Sequence, residues 1–287
     1  MFERKFFILS PSFHGATLLA RLLNAHPEIL ALGDTYPSNR FDQVCGCGSK
    51  VSECDFWQAV KKRVGADRYR EEPTLLPLFP RILGGRIDDL LYAFAPMGVV
   101  GRVIGGKELQ EFRDDYRGFL HALYDLASPN PASVFVDGVK SIARVKALLL
   151  AGEGVDGVIH LVRNTGDFVK SYMRQKGAGP GTLARASLIW RLYHGGAANL
   201  ARNVPYMRVN YEALADETEE TMAHLFRFLG VPPIGMKAMT ADLEEPWHFM
   251  GNASLLTFDG RIRRSRHRLG RIERHLVRAI TGFGEGV

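Results

Sequence analysis

Residues 6–23, Phe6-Phe7-Ile8-Leu9-Ser10-Pro11-Ser12-Phe13-His14-Gly15-Ala16-Thr17-Leu18-Leu19-Ala20-Arg21-Leu22-Leu23, decide the fold. The apolar run at 6–9 suits a short buried strand, and Pro11, which has no N–H, cannot continue it. After Gly15 the leucines at 18, 19, 22 and 23 recur at helical spacing until Pro27 ends the run. The stretch therefore reads as strand, tight loop and helix. The first amides of such a helix have no partner inside it, and its aligned peptide dipoles attract an anion, so the loop is a candidate phosphate cradle. It has one glycine and lacks the Gly-Lys-Ser/Thr ending of an ordinary ATP-binding loop, which leaves a plain first βα unit as the alternative.

With 287 residues the chain can hold one large α/β domain or two small ones. Glu3, Arg4 and Lys5 precede an apolar run too short for a signal-peptide core, and the longest apolar run, Leu90 to Val100, is broken by Pro96 and Gly98. A cytoplasmic protein without a membrane span is expected. The net charge is +6, yet residues 261–278 hold eight Arg against one Glu, so the remainder is close to neutral. Such local basicity argues against a duplex-binding face, and no nucleic-acid partner is expected; it favours a focused anion site or a solvated helix. From Leu269 onward, Ile272, Leu276 and Ile280 mark one face of a basic helix over 265–282 that packs on the domain, with an anion contact as the alternative. Cys45, Cys47 and Cys54 crowd into ten residues. A zinc site normally takes four ligands, so the fourth would have to come from elsewhere, and a reducing compartment disfavours a disulfide; a structural or redox-incidental cluster without metal is expected, with a metal site as the alternative.

Further along, Ile29 to Leu32 reads as a strand ending at Gly33, which places Asp34 at a strand end, where ligands sit in doubly wound sheets. Phe56–Val64, Arg86–Phe94 and Phe112–Ala127 have helical periodicity and are separated by Pro-rich and Gly-rich stretches, Pro73–Pro80 and Gly98–Gly106. They form an expected helical insertion over 56–130 that serves as a lid, an acceptor pocket or mere filler. Val134–Asp137, Gly157–Val162 and Tyr206–Tyr211 are strands, and Asp167–Arg174, Leu183–Arg202 and Glu217–Leu229 are helices. That alternation implies one α/β domain over 1–287 with a mostly parallel, P-loop-like sheet covered by helices on both faces. Lys140 and Arg163 each follow a central strand, where an isolated cation is costly; two converging on one rim favour a bound anion over separate ion pairs.

In order along the chain stand His14-Gly15-Ala16-Thr17-Leu18-Leu19, Ala25-His26-Pro27-Glu28, Gly33-Asp34, Cys45-Gly46-Cys47-Gly48, Glu53-Cys54-Asp55-Phe56-Trp57 and Val136-Asp137-Gly138-Val139-Lys140-Ser141. They are followed by His160-Leu161-Val162-Arg163-Asn164 with Ser171-Tyr172, then Arg208-Val209-Asn210-Tyr211-Glu212-Ala213-Leu214 and Gly251-Asn252. In this order they resemble a bacterial group of the sulfotransferases that use 3′-phosphoadenosine 5′-phosphosulfate. That group carries a Ser-Gly-Ser/Thr-Thr-Leu-Leu loop, Ala-His-Pro-Glu, Gly-Glu, Cys-x-Cys-Gly, Glu-Cys-x-Phe-Trp, Val-Asp-Ser-Ser-Lys-Ser and Leu-Val-Arg-Asp. The resemblance runs from residue 6 to about 260.

The resemblance implies a donor phosphosulfate lying on the loop Ser12, Phe13, His14, Gly15, Ala16, Thr17 and Leu18, with Thr17 offering its hydroxyl. It implies Arg163 and Ser171 on the 3′-phosphate, Asn252 at the nucleotide, and Asp34 in the position of the catalytic base. Phe13 stands where many members of the family keep a loop cation; Lys140 supplies that charge from the neighbouring strand, with His14 as a further hydrogen-bond donor. Arg261 and Arg263 stand in for the arginine usual just after Gly-Asn. The acceptor is then a small molecule, sugar or natural product with a hydroxyl, the nucleotide product is adenosine 3′,5′-bisphosphate, and no metal takes part. A non-catalytic nucleotide-binding protein is the alternative from another class, and an ATP-dependent phosphotransferase is disfavoured by the missing Gly-Lys-Ser/Thr.

Overall fold

The computed structural model describes residues 1–33, 44–65, 94–127, 132–138, 140–241, 248, 258, 262–263 and 269–282. Strands β1 (Arg4–Leu9), β2 (Ile29–Leu32), β3 (Val134–Asp137), β4 (Gly157–Val162) and β5 (Tyr206–Asn210) form a five-stranded sheet in the order β2-β3-β1-β4-β5. Every pairing is parallel. All carboxyl ends therefore meet at one rim. The chain leaves β1 on one side to build β2 and β3, then crosses to the other for β4 and β5, so β1 lies at the switch point where such sheets open a crevice.

The helices are α1 (Ala16–Leu23), α2 (Asp55–Val64), α3 (Met97–Val103), α4 (Gly106–Leu126), α5 (Ile142–Leu150), α6 (Thr165–Lys176), α7 (Pro180–Ala198), α8 (Tyr211–Asp216), α9 (Thr218–Leu229), α10 (Met236–Thr240) and α11 (Arg271–Thr281). Strand alternation sorts the core. Phe7, Leu9, Leu32, Phe135 and Val158 face one layer with Trp57 and Val60 of α2, Tyr116, Phe119, Leu120 and Leu123 of α4, and Val145 and Leu148 of α5. Phe6, Ile8, Ala31, Val136, Ile159 and Leu161 face the other with Leu19, Leu22 and Leu23 of α1 and Met222, Leu225, Phe226 and Leu229 of α9. The three- and four-residue steps on each helix put these side chains on one stripe. β3 and β4 are buried along their whole length, which is why they read as unbroken apolar runs. The expected α/β class is the observed one. Among the described residues no helix is long and apolar enough to cross a membrane.

Three local expectations change. Part of the Gly-rich stretch 98–106 is helical: α3 covers Met97–Val103, with Val100 and Ile104 buried against Ala143 and Ala147 of α5. Small residues are what let that short helix pack closely. Most of the Arg86–Phe94 segment lies outside the described residues. The terminal helix is shorter than expected and turns a different face inward: Leu269, Val277 and Thr281 are buried, whereas Ile272 is 77% and Leu276 43% exposed. Val277 and Leu269 join Phe168, Tyr172, Leu183 and Trp190 in a third apolar cluster with α6 and α7. Lys170 on α6 pairs with Glu273 at 2.7 Å, and Arg191 on α7 donates to the carbonyl of Ile280 at 2.7 Å, so polar contacts help set the rotation of α11.

The ends of β2 and β3 touch through backbone. A Cβ added to Gly138 would lie 2.3 Å from the carbonyl oxygen of Gly33 and 2.7 Å from that of Leu32, and the Gly138 amide donates to Leu32 at 3.0 Å. Neither backbone can retreat without breaking the ladder. Gly138→Ala should therefore cost about 2 kcal/mol or more, the range of an overpacked core, read as a lower urea midpoint with an unchanged slope.

Candidate functional site

The loop between β1 and α1 is built on two left-handed residues. Gly15 has φ 91° and Phe13 φ 70°. Gly15 is obligatory there for a second reason, since a Cβ would stand 2.5 Å from Cε2 of Tyr211. Phe13 and Lys140, with φ 65°, are the two non-glycine residues with positive φ among the described residues. Each such conformation costs on the order of 1–3 kcal/mol and persists where surrounding contacts over-determine it. Those contacts are visible. Arg163 Nη1 donates to the carbonyl of Phe13 at 2.7 Å, and the Tyr193 hydroxyl donates to the carbonyl of Lys140 at 2.7 Å. The strained residues follow neighbouring strands, β1 and β3, so backbone strain is concentrated at one rim of the sheet.

No side chain caps α1, and the amide of Leu19 is the first to bond within it, to Gly15 at 2.9 Å. The amides of Ala16, Thr17 and Leu18 are thus the unsatisfied first-turn donors that favour an anion. Arg163 is buried beside them, its guanidinium 5.0 Å from the centre of the Tyr211 ring. Arg163 Nε, Ser10 Oγ and Thr165 Oγ1 are buried and have no hydrogen-bond partner. Unsatisfied donors of this kind are expensive in a closed protein and are what an oxyanion would satisfy. Ser171 is buried on α6, whose start Asn164 caps by accepting from the Gly166 amide at 2.9 Å. Arg263 is exposed, and its carbonyl accepts from the Tyr211 hydroxyl at 3.0 Å, which ties that segment to the loop. Asp34, Asn252 and Arg261 lie outside the described residues.

The expected hydrogen-bond donor His14 is fully buried, and both of its ring nitrogens are engaged within the protein. Nδ1 meets the carbonyl of Ser12 at 3.3 Å, and Nε2 meets Nε2 of His194 at 3.0 Å. His194 Nδ1 meets Nε2 of His160 at 2.7 Å, and His160 Nδ1 meets the Tyr206 hydroxyl. The carbonyl can only accept, which determines every proton in the row. His14 Nδ1 donates, so its Nε2 accepts from His194 Nε2–H; His194 Nδ1 accepts from His160 Nε2–H; and His160 Nδ1 accepts from Tyr206. Burial holds all three imidazoles neutral, pulling His14 and His160 from 6.5 down to about 3 and His194 lower still, and raises the Tyr206 phenol to about 12 so that it keeps its proton. As placed, His14 braces the loop at the Ser12 carbonyl and links it to His194 on α7. His160, His194 and Tyr206 are functional candidates that sequence patterns did not single out, since nothing in periodicity links residues on β4, α7 and β5.

The three cysteines also find a companion. His248 Nδ1 lies 3.3 Å from Cys54 Sγ and 3.7 Å from Cys45 Sγ, and Cys54 Sγ lies 3.6 Å from Cys47 Sγ and 3.7 Å from Cys45 Sγ. The fourth group that a metal site would need from elsewhere in the chain is thus present beside the three cysteines.

No protein-family model matches the chain, and no curated protein matches it in sequence. Solved structures do. The chain is similar to a sulfotransferase domain from the olefin synthase of Synechococcus PCC 7002, at 18% identity and a TM-score of 0.52, over 96% of this chain and 93% of that one. It is also similar to a sulfotransferase domain from the curacin biosynthetic pathway, at 14% identity over 98% of each chain with a TM-score of 0.47. A sulfotransferase from Mycobacterium tuberculosis H37Rv follows at 15% identity, over 98% of this chain and 77% of that one, with a TM-score of 0.48. At such identities the first likeness speaks to the fold alone, and the two lower scores add no argument. The chain has the fold of a sulfotransferase domain.

The histidine row makes stability depend on pH with a definite sign. The folded-state pKa values lie below those of the unfolded chain, so between the two the unfolded chain binds more protons and stability falls as pH falls. Each imidazole contributes up to about 1.4 kcal/mol per pH unit in that window. Unfolding free energy should drop from pH 6.5 toward pH 3, and His160→Gln should reduce the slope by roughly one proton. Denaturant titrations across that range measure both; a flat profile would contradict the buried neutral row.

Proposed function

We propose that the protein transfers a sulfuryl group from 3′-phosphoadenosine 5′-phosphosulfate to a hydroxyl of a small-molecule, sugar or natural-product acceptor. The observation that carries this reading is the pair of strained residues, Phe13 and Lys140, held on adjacent strand ends beside uncapped first-turn amides. That arrangement suits an oxyanion, and it stands on the fold of a sulfotransferase domain. The donor is a substrate here, and the residues fit it. The amides of Gly15 to Leu18 and the Thr17 hydroxyl would receive its phosphosulfate end, and Arg163 and Ser171 its 3′-phosphate. Arg163 has a second duty, since its Nη1 already holds Phe13 in the left-handed conformation.

Sulfuryl transfer breaks the bond between sulfur and the bridging oxygen of the donor while the acceptor oxygen bonds to sulfur. Negative charge grows on the leaving phosphate, and the acceptor hydroxyl loses its proton. Lys140 takes the role of the cation that neutralises the leaving phosphate, because Phe13 leaves the loop without one. Asp34, directly after β2 in sequence, is the proposed base for the acceptor proton. Asn252, Arg261 and Arg263 complete the nucleotide end of the proposal.

Lys140 gives a test that separates function from folding. Glycine adopts a φ of 65° without penalty, so Lys140→Gly should raise stability by about 1 kcal/mol while lowering turnover by about two orders of magnitude or more. Mass spectrometry for a sulfated product, with a panel of phenol, sugar and alcohol acceptors, measures turnover; thermal shift with adenosine 3′,5′-bisphosphate and with ATP·Mg²⁺ measures binding. Full activity of Lys140→Gly would overturn the assignment of Lys140. Stabilisation by ATP·Mg²⁺ alone would overturn the donor.

A further inference from the structure

Cys45, Cys47, Cys54 and His248 each turn one ligand atom toward a common centre, and all four atoms lie within 4.8 Å of one another. Regular tetrahedral zinc, with Zn–S near 2.3 Å and Zn–N near 2.0–2.1 Å, sets S···S edges of about 3.8 Å and S···N edges of about 3.5 Å. Four of the six edges here are 3.6 and 3.7 Å between sulfurs and 3.3 and 3.7 Å from sulfur to nitrogen, and the other two are no longer than 4.8 Å. Four unrelated side chains rarely crowd together at the edge lengths of one small polyhedron.

The surroundings are built for the same end. Residues 44–50 make a tight hairpin, with an antiparallel bridge between Val44 and Lys50, the Cys45 amide donating to Ser49 at 2.8 Å and the Gly48 amide to Cys45 at 2.9 Å. Gly48 takes φ 91°, a conformation suited to glycine, so that Cys45 and Cys47 point to one side. Phe56 stacks on the His248 ring at 4.5 Å with an interplanar angle of 4°, which sets the imidazole plane. Cys45 and Cys54 are 0% and 1% exposed, so the centre is closed. A hairpin that positions two cysteines and a ring that orients the histidine are surroundings of the kind metal sites use to hold their ligands.

We infer that Cys45, Cys47, Cys54 and His248 Nδ1 form a structural zinc site that fastens the hairpin after β2 to a segment about two hundred residues later. Soft thiolates with one imidazole select zinc over magnesium or calcium, and four protein ligands leave no open position for a substrate. Ligation releases the thiol protons to solvent and changes no oxidation state, so no further reactant enters. The inference is independent of the sulfuryl-transfer reading: it holds or fails whatever the loop binds.

The test is metal analysis of the full chain purified without a metal-affinity tag under reducing conditions and passed over a chelating resin. About one zinc per chain should remain, the stoichiometry of a closed four-ligand site. Cobalt exchanged into the protein should show the ligand-field and sulfur-to-metal bands of a tetrahedral S₃N centre. Cys47→Ser and His248→Ala should each lower occupancy by at least about tenfold. Should either variant fail to fold, His248→Cys keeps four ligands: it should retain zinc while shifting the cobalt spectrum to that of an S₄ centre. Wild-type protein that carries no zinc and takes up no added zinc or cobalt would overturn the site. So would zinc whose amount and cobalt spectrum are unchanged by His248→Cys.

Discussion

The Arg163 guanidinium joins the parts of the candidate site more than any other group. It follows β4, lies against the face of Tyr211 at the start of α8, and reaches across to the carbonyl of Phe13 in the loop after β1. A charge-assisted hydrogen bond of this kind is strong enough to offset the left-handed conformation of one residue. Tyr211 packs where only Gly15 leaves room, and its hydroxyl reaches the carbonyl of Arg263. The loop, the strand and the C-terminal segment are therefore interdependent: the shape of residues 12–15 is imposed by tertiary contacts as much as by local preference. A lysine at 163 could carry the charge but could not stack and donate in one plane.

That dependence explains which parts of the molecule were legible from residues alone. The apolar runs at 6–9, 134–136 and 157–162 announced buried parallel strands, because strands covered on both faces need no alternation. Gly15 marked the loop, and Lys140 and Arg163 were readable because a cation just after a buried strand demands an explanation. The positive φ of Phe13 was not readable, since a bulky residue has no local reason to be left-handed; its reason lies 150 residues away in Arg163. The His14, His160 and His194 row is invisible for a related reason. Neutral histidines inside apolar segments carry no pattern, and only the packing of α7 against β4 brings them into line. His248 was likewise out of reach of a spacing argument, because its cysteine partners are nearly two hundred or more residues earlier.

The inward face of α11 shows a different limit. Ile272, Leu276 and Ile280 fall on a helical stripe, and hydrophobicity alone would bury it. The helix instead presents Val277 and Thr281 to α6 and α7, while Glu273 and the Ile280 carbonyl take polar partners there. When two stripes on a basic helix are of similar apolar content, a salt bridge and one hydrogen bond on the receiving surface can decide between them. Periodicity reports that a face exists; the partner surface decides which one is used.

The strand order also has a consequence for how the chain is made. Among the five strands β1 is synthesised first, yet its two neighbours are β3 and β4, which begin at residues 134 and 157. At synthesis rates of about 5–20 residues per second, the segment Phe6-Phe7-Ile8-Leu9 waits roughly 6–25 seconds before its first partner exists. During that interval β1 has no ladder to join, and α1 can cover one of its faces at best. The arrangement that puts β1 at the centre of the finished sheet thus leaves it without a partner strand until more than a hundred further residues have been made, which makes β1 a natural client of a chaperone.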